Sequence, residues 1–364
     1  MNSIGSPYSF HVHPFLVAAT ESLDTAVADI GRLVSVESPS RDAERVAHSA
    51  RCVAELIERE TGLVAELIES PVGPHVVVRS SARPAVLFLG HHDTVHQVGS
   101  LAQRPFTNDA GVLRGPGVFD MKAGIVQAAH ATRILRESGI DVAHVAMLFT
   151  ADEEVGSKTS RGLVEEMARD VDAVLVLEPS ADGGALKTAR KGTGTFEVSI
   201  EGRASHAGLE PEKGINALVE LAHQVQVING FGKPELGTTV TPTVASAGTT
   251  DNTVPDRATI IVDARVVAPE EKARVESLMN SLSPVVEGAK ITVSGSLHRP
   301  PMHESMSADL FALAREVAHD IDGRDIDGVS VGGGAHGVTE HVIVETIPFR
   351  TALVAGLAAR IVAG

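Results

Sequence analysis

The sequence predicts an α/β protein in which a mostly parallel sheet has helices on both faces and carries an inserted, smaller βαββαβ domain. Two observations predict it. Continuous apolar runs alternate with amphipathic helical segments over the first half of the chain, which is typical of βαβ units with buried strands. The next hundred residues hold four strand-like and two helix-like segments in the order βαββαβ.

The elements of the first half follow in order along the chain. Apolar residues have helical spacing over residues 16–36, and ESPSRD breaks that spacing before a second helix over 41–61. The strands HVVVRS, PAVLFLGHH, HVAMLFTADEE and DAVLVLEPS then alternate with the helices KAGIVQAAHATRILRES and SRGLVEEMARD. In such sheets the ligand site lies beyond the carboxyl ends of the strands.

The character of the chain changes near residue 188. The strands GTFEVSIEG, TTVTPTVASAG, RATIIVDARVV and KITVSGSLH, with the helices GINALVELAHQVQVI and PEEKARVESLMNSL, form a ferredoxin-like set. We therefore predict a main domain of residues 1–187 and 298–364 and an inserted domain of residues 188–297. The chain re-enters the main domain through ADLFALAREVAHDI and PFRTALVAGLAARIVAG.

Composition limits the possible partners and compartment. Hydrophobic residues make up 43% of the 364 residues and charged residues 21%, which is typical of a packed protein. The net charge of -16 would repel nucleic acid and anionic membranes, so we expect neither as a partner. We find no basic, apolar leader and no run of about 18 apolar residues. With Cys52 as the single cysteine, we expect a soluble cytoplasmic protein.

Three apolar runs of the predicted sheet each end in ionisable residues. Buried carboxylates are costly unless they are paired, and metal ions are a common partner. Carboxylate and imidazole groups suit divalent cations such as zinc. The sequence therefore predicts a dinuclear zinc hydrolase. The candidate residues are His91 and Asp93, Glu153 and Glu154, and Glu178 at the strand ends, Asp120 after GPGVF, and His336 in GGGAH.

Taken singly, several of these residues have ordinary explanations. His91 and Asp93 are two apart on an extended segment and share a face, as a metal ligand and its orienting carboxylate would; a polar turn at a strand end is the alternative. Asp120 could be a helix N-cap. His206 in ASHAG and His336 are weak signals alone.

The two adjacent glutamates need an irregular turn if both are to face one site. One could bind metal while the other acts as the base. Alternatively, Glu153 and Glu154 belong to a solvated acidic cluster. Glu178 follows five apolar residues and could instead pair with Lys187 or Lys191.

Taken in order, these motifs resemble the dinuclear zinc carboxypeptidase and deacylase family of glutamate carboxypeptidase, acetylornithine deacetylase, succinyl-diaminopimelate desuccinylase and aminoacylase. The resemblance runs from about Leu33 to the last helix. It implies a zinc exopeptidase-like main domain, a lid and dimerisation role for the inserted domain, and two zinc ions, with cobalt or manganese as substitutes. The implied metal ligands are His91, Asp120, Glu154, Glu178 and His336.

The resemblance also implies roles in a metal-assisted hydrolysis. Asp120 would bridge the two ions and Asp93 would orient His91. Glu153 would be the general base that takes a proton from water. His206 would stabilise the oxyanion, and in dimeric relatives this histidine comes from the partner subunit's lid domain.

GTGTFEVSIEGRASHAG and TPTVASAGTTDNTVPDRATIIVDAR look most like the glutamate carboxypeptidase branch. There Asn252 and Arg265 would hold the free carboxylate of a small-molecule substrate, for which a guanidinium fork is well suited. The alternative for Arg265 is a surface charge. We therefore expect a homodimeric metallocarboxypeptidase that cleaves an amide bond next to a carboxylate. An N-acyl amino-acid deacylase or aminoacylase is the alternative within the family.

One segment departs from the family pattern. Relatives carry a GG(S/T)D segment, a helix and a strand before the loop of the last ligand, whereas here DGVSVGGG runs directly into AHGVTEHV. A deletion between Gly334 and Ala335 would remove substrate contacts. A second hypothesis is therefore an inactive, family-shaped protein that retains partial metal binding or a partner-binding role.

Overall fold

The computed structural model describes residues 13–79, 82–331 and 339–364. Its α-helices, within these ranges, are α1 (Pro14–Glu21), α2 (Leu23–Val34), α3 (Ala43–Thr61), α4 (Ser100–Gln103), α5 (Ala123–Glu137), α6 (Arg161–Ala168), α7 (Ala217–Asn229), α8 (Pro269–Asn280), α9 (Ala308–Asp322) and α10 (Ile347–Ala363). Its strands are β1 (Glu66–Ile68), β2 (His75–Val78), β3 (Val86–His91), β4 (Thr107–Asp109), β5 (Val112–Arg114), β6 (Val145–Thr150), β7 (Ala173–Val176), β8 (Leu186–Arg190), β9 (Gly192–Glu201), β10 (Thr239–Ala247), β11 (Arg257–Val266), β12 (Lys290–Arg299), β13 (Gly328–Val331) and β14 (His341–Ile343).

The chain divides into two compact units. The first comprises the described residues within Met1–Gly184, Leu310–Asp327 and Gly334–Gly364. The second comprises those within Ala185–Asp309 and Gly328–Gly333.

The first unit is built on a five-stranded sheet in the order β1-β2-β6-β3-β7. Strand β3 pairs in parallel with β6 and β7, while β2 is antiparallel to both β1 and β6, so only β2 runs against the other four. The side chains of β6 are buried throughout, as expected for a strand covered on both faces. The predicted mostly parallel α/β sheet is confirmed.

The first predicted helix is divided in two. Helix α1 ends at Glu21 and α2 begins at Leu23, with Ser22 between them in a non-helical conformation. The main-chain N–H and the hydroxyl of Ser22 both donate to Ala18 O at the end of α1. The small antiparallel sheet in which β5 pairs with both β4 and β14 was not predicted, because each of its strands has only three residues.

Helix α10 is a long, apolar helix of the first unit. By length and composition alone, Val344–Ala363 could span a membrane, with a mean hydropathy of 1.4. However, 56% of this window is buried, and α10 packs against α5 and α1. Its apolar surface is therefore that of a core helix in the first unit.

The second unit contains a four-stranded antiparallel sheet in the order β10-β11-β9-β12. Residues of β9 alternate between buried and exposed positions, so only one face is covered. Helices α7 and α8 lie on that face and share a core with the sheet through residues such as Phe196, Ile260 and Met279. This is the predicted βαββαβ arrangement.

Candidate metal centre

Strand register brings the predicted ligands of the first unit together. His91 at the end of β3 pairs with Thr150 at the end of β6, and Leu89 pairs with Val176 of β7. Because these three strands run in the same direction, the residues that follow each of them emerge at one edge of the sheet. Glu178 is one of these residues.

His91 is held from both sides of its ring. Nδ1 donates to Asp93 O at 2.9 Å and lies 3.5 Å from Asp93 Oδ1. Nε2 lies 3.1 Å from Asp120 Oδ1 and 3.4 Å from Glu178 Oε1. Burial alone would lower the pKa of His91, but its bonds to Asp120, Asp93 and Glu178 raise that pKa well above its ordinary value. The ring therefore directs Nε2 at two carboxylates, as a metal ligand would.

Asp93 is fully buried and connects several parts of the site. Its Oδ2 accepts from Ser40 Oγ at 2.6 Å and from Glu154 N at 3.3 Å, and its Oδ1 accepts from Glu153 N at 3.2 Å. Burial would raise the pKa of Asp93, but hydrogen bonds from His91 and Ser40 lower it. Asp93 thus stays ionised, and it positions the glutamate turn as well as His91.

The adjacent glutamates lie in the irregular turn that the sequence required. Glu153–Val155 forms one 3-10 turn after β6, closed by Gly156 at φ 95°. Glu153 has an oxygen within 4.8 Å of ligand atoms of His91 and Glu178. Glu154 has a carboxylate oxygen within 4.8 Å of ligand atoms of His91 and Asp120. Both side chains therefore reach the same site.

Burial, together with neighbouring carboxylates, raises the pKa of Glu154. Burial is the main cause that raises its pKa to about 8; His91 opposes the rise, and the nearby Asp120, Glu153 and Asp93 add to it. Without a cation, ionising Glu154 would place a further negative charge in a partly buried site beside three other carboxylates. A divalent cation would offset this charge.

Asp120 reaches the site on a loop that depends on glycine. Gly115 and Gly117 have φ of 147° and 74°, and a Cβ on Gly115 would lie 2.6 Å from Val34 Cγ1. The peptide between Asp120 and Met121 is cis. Lys122, rather than Asp120, is the N-cap of α5. The alternative of an ordinary N-cap is therefore wrong.

Sequence reasoning missed two residues around this site. Ser40 lies in ESPSRD, which the sequence marked only as a helix break, and its hydroxyl contacts Asp93. Glu340 lies in VTEHV and gave no signal in the sequence, but its carboxylate accepts from the main chain of the Asp120 loop. Burial would raise the pKa of Glu340, but hydrogen bonds from His96 and Gly117 lower it.

A second buried cluster contains residue types that bind metals, but arginines already pair with its carboxylates. Asp29, Glu60 and His130 approach one another within 4.8 Å. Arg59 Nη2 lies 2.6 Å from Asp29 Oδ1, and Arg133 Nη1 lies 2.8 Å from Glu60 Oε2. These arginines occupy the positions that a cation would take, so this cluster is an ion-pair network between α2, α3 and α5.

The first unit therefore brings together six predicted residues: His91, Asp93, Asp120, Glu153, Glu154 and Glu178. Apart from Asp93, these are one imidazole and four carboxylates around a small volume, and such ligands bind divalent cations in proteins. The remaining predicted ligand, His336, lies outside the described residues.

The other predicted site residues belong to the second unit. His206 Nδ1 accepts from Gly208 N and Leu209 N, both at 3.1 Å, so a neutral ring carries its proton on Nε2. Ala207 N donates to Asn252 O at 2.9 Å, which places the loops of His206 and Asn252 side by side. This ring can donate a hydrogen bond to an oxyanion.

Arg265 lies far from these loops within the second unit. Asn252 precedes the Arg257 end of β11, whereas Arg265 lies at the opposite end, paired with Thr193. Eight residue steps along the strand correspond to about 27 Å. Arg265 Nε bonds Asp263 Oδ1 at 2.9 Å on the same face of the strand. Asn252 and Arg265 of one chain therefore lie at opposite ends of the sheet.

The fold and this cluster of carboxylates and imidazole are typical of a metallopeptidase family. Residues 87–360 match the profile of peptidase family M20/M25/M40, and the chain belongs to that family. The resemblance drawn from the motifs is thereby confirmed.

Relatives with curated names include several hydrolases. The chain is 34% identical to carboxypeptidase G2 of Pseudomonas sp. (strain RS-16) over 262 residues, covering 70% of this chain and 63% of that protein. It is 31% identical to succinyl-diaminopimelate desuccinylase of Maricaulis maris over 39% of each chain. The chain thus spans less than two thirds of the length of either relative.

Solved structures share the fold. Aminopeptidase PepT from Bacillus cereus superposes with a TM-score of 0.76 at 19% identity, covering 94% of this chain and 99% of that one. The M20 family metallo-carboxypeptidase Sso-CP2 from Sulfolobus solfataricus gives 0.69 at 15% identity, covering 94% and 100%.

Proposed function

We propose that the protein is a zinc-dependent metallocarboxypeptidase that hydrolyses an amide bond next to a free carboxylate. The observation that carries this proposal is the convergence of His91 Nε2 on Asp120 and Glu178, with both glutamates of the 153–154 turn at the same sheet edge. Among the relatives, carboxypeptidase G2 supports the carboxypeptidase assignment.

Two zinc ions are the proposed cofactors, with cobalt or manganese as substitutes. His91, Asp120, Glu154 and Glu178 would hold them with His336, and Asp120 would bridge. When bound, such ions supply Lewis acidity and an activated water. Burial is the main cause of the raised pKa of Glu154, and the neighbouring Asp120, Glu153 and Asp93 add to it; both effects would be offset by cations at this edge.

Glu153 is the proposed general base. Its main chain is fixed by Asp93 Oδ1, so its carboxylate is presented from a turn of defined geometry. A Glu153 carboxylate oxygen would accept a proton from the attacking water and return it to the leaving amine. His206 would donate from Nε2 to the oxyanion, which its tautomer supports.

The substrate proposal concerns a small molecule with a free carboxylate. Arg265 is proposed to bind that carboxylate through its guanidinium fork, exchanging its present bonds to Asp263. The second candidate is an N-acyl amino-acid deacylase, favoured by the desuccinylase relatives, which at 37% and 31% identity match about a third of the chain. We propose no nucleic-acid or membrane partner, and a cytoplasmic location.

A homodimer through the second unit is the proposed assembly. Within one chain, Asn252 precedes the Arg257 end of β11, and Arg265 lies about 27 Å along the strand from Arg257, too far for Asn252 and Arg265 to bind one carboxylate together. If both contact the same substrate, they must come from two copies. This separation supports a site completed by His206 and Asn252 of the partner subunit.

Metal analysis and substrate assays test the proposed function. We expect two zinc ions per chain and turnover of a folate-like N-acyl glutamate that exceeds turnover of simple N-acyl amino acids. The reverse preference would favour the deacylase. Less than one zinc per chain and no turnover would favour the inactive, family-shaped protein.

A further inference from the structure

The side chain of Glu340 lies against the loop of Asp120. Its side chain is 4% exposed, and both carboxylate oxygens accept hydrogen bonds. Oε1 accepts from Gly117 N at 2.9 Å, and Oε2 accepts from Phe119 N at 3.2 Å and from Asp120 N at 3.4 Å. One carboxylate therefore binds three main-chain donors of the loop, including the amide of the predicted bridging ligand.

The carboxylate is itself oriented from the opposite side. His96 Nε2 lies 2.5 Å from Glu340 Oε1, and His96 Nδ1 lies 3.1 Å from Arg104 Nη2. A guanidinium can only donate, so Nδ1 is the acceptor and Nε2 carries the proton. Arg104, His96 and Glu340 thus form a chain of directed hydrogen bonds that ends on the Asp120 loop.

Strand pairing keeps Glu340 in place. The next residue, His341, begins β14 and pairs with Arg114 at the end of β5, immediately before the glycine loop. Loop and carboxylate are therefore anchored at the same end of one short sheet. Gly115 and Gly117 have positive φ, and glycine permits many other backbone conformations as well. The loop therefore needs an anchor that holds this one conformation.

We propose that Glu340 is a positioning residue for the metal centre: by binding the amides of Gly117, Phe119 and Asp120, it fixes the direction in which the Asp120 carboxylate faces His91. This inference rests on the proposed role of Asp120 as the bridging ligand. The alternative is that Glu340 only stabilises the fold.

The test measures metal affinity and the stability of the metal-free protein separately. Glu340→Gln keeps the side-chain size but replaces one acceptor oxygen by a donor amide, which would face main-chain N–H groups. We expect zinc and cobalt to bind about 10- to 100-fold more weakly, which is typical when a partner of a metal ligand is lost. The visible spectrum of the cobalt-loaded protein should change as well, because the ligand geometry differs.

A matched control removes another buried carboxylate from the same unit. Glu60→Gln breaks the ion pair with Arg133, away from the metal centre. We expect it to lower the melting temperature of the metal-free protein and to leave metal affinity and the cobalt spectrum unchanged. His96→Ala keeps the Glu340 carboxylate but removes its orienting donor, so it should weaken metal binding in the same direction and to a smaller extent.

The outcomes are separable. Wild-type protein that binds no zinc would contradict the proposed function itself. Wild-type protein that binds zinc while Glu340→Gln binds it equally well, with only a lower melting temperature, would overturn the positioning role. If Glu340→Gln does not fold, His96→Ala decides: unchanged metal affinity and cobalt spectrum in that variant would overturn the proposal.

Discussion

The Asp93 carboxylate accepts a hydrogen bond from the main-chain N–H of Glu153 at 3.2 Å. This contact joins the end of β3, which carries His91, to the turn after β6, which carries the proposed base. The proposed ligand His91 and the proposed base Glu153, from separate strands, thus share the buried Asp93 carboxylate. Changes at Asp93 should therefore affect both metal binding and proton transfer.

Asp93→Asn tests this shared role. The amide keeps the size of the side chain, but an NH2 group in place of Oδ2 only donates and can accept neither from Ser40 Oγ nor from Glu154 N. We expect metal affinity to fall by about 10- to 100-fold. Isothermal titration of the metal-free protein with zinc measures it. Ser40→Ala, which removes a single donor, should cost less, and equal affinities in all three proteins would contradict the assignment.

Glu153→Gln separates proton transfer from metal binding. Because the amide cannot take a proton from water, kcat should fall by about 10²- to 10⁴-fold while zinc content stays at the wild-type level. Steady-state kinetics and elemental analysis of the same preparation measure both quantities. Glu165→Gln on α6, an exposed carboxylate paired with Arg161, is the control and should leave kcat unchanged. A Glu153→Gln enzyme with full kcat would remove this residue from the mechanism.

Mixing two inactive variants tests the homodimer. His206→Ala and Arg265→Ala should each lose most activity. If each site takes His206 from one copy and Arg265 from the other, a mixed dimer holds one intact site. Random mixing makes half of the dimers mixed, so about a quarter of the wild-type rate should return. Mixing each variant with itself is the control, and no recovery in mixed dimers of proven composition would contradict the shared site.

The second unit should show a pH-dependent stability that depends on Glu271. Its bonds with Arg274 are the main cause that lowers the pKa of this carboxyl from 4.5 to about 2, and Thr238 contributes. Because the folded pKa lies below the unfolded value, this stabilisation is fully present above pH 4.5 and is lost as pH falls towards 2.

Glu271→Gln therefore should lower the free energy of unfolding by about 2 kcal/mol at pH 7. The difference from wild type should shrink as the pH falls from 5 to 2. Thermal unfolding at a series of pH values measures it, with Glu270→Gln at the exposed neighbouring position as the control. A difference that stays constant with pH would show that the ion pair is not its source.

Much of the site could be predicted because the carboxyl ends of parallel strands lie at the same edge of a sheet. Apolar runs that finish in His91, Glu153 and Glu178 place those residues at one sheet edge once the strands are parallel, and the structure has that register. The βαββαβ order of the second unit was likewise readable from its alternating apolar residues. Both are local patterns with a direct geometric consequence.

Other features could not be read from local patterns. Glu340 contacts the Asp120 loop across more than 200 residues of sequence, and nothing in VTEHV indicates a buried carboxylate. The prediction that Asn252 and Arg265 bind one carboxylate did not say which copy supplies each residue. The structure places Asn252 before one end of β11 and Arg265 at the other end.

The sequence by itself determined which residue types end the strands, and hence the chemistry available at the sheet edge, because side-chain alternation and burial are encoded locally. Tertiary structure decided which main-chain amides orient those groups, because hydrogen bonds between distant segments depend on how the whole chain packs. The Asp93 and Glu340 carboxylates are of this second kind: each is buried, and each is stabilised by donors that come from elsewhere in the fold.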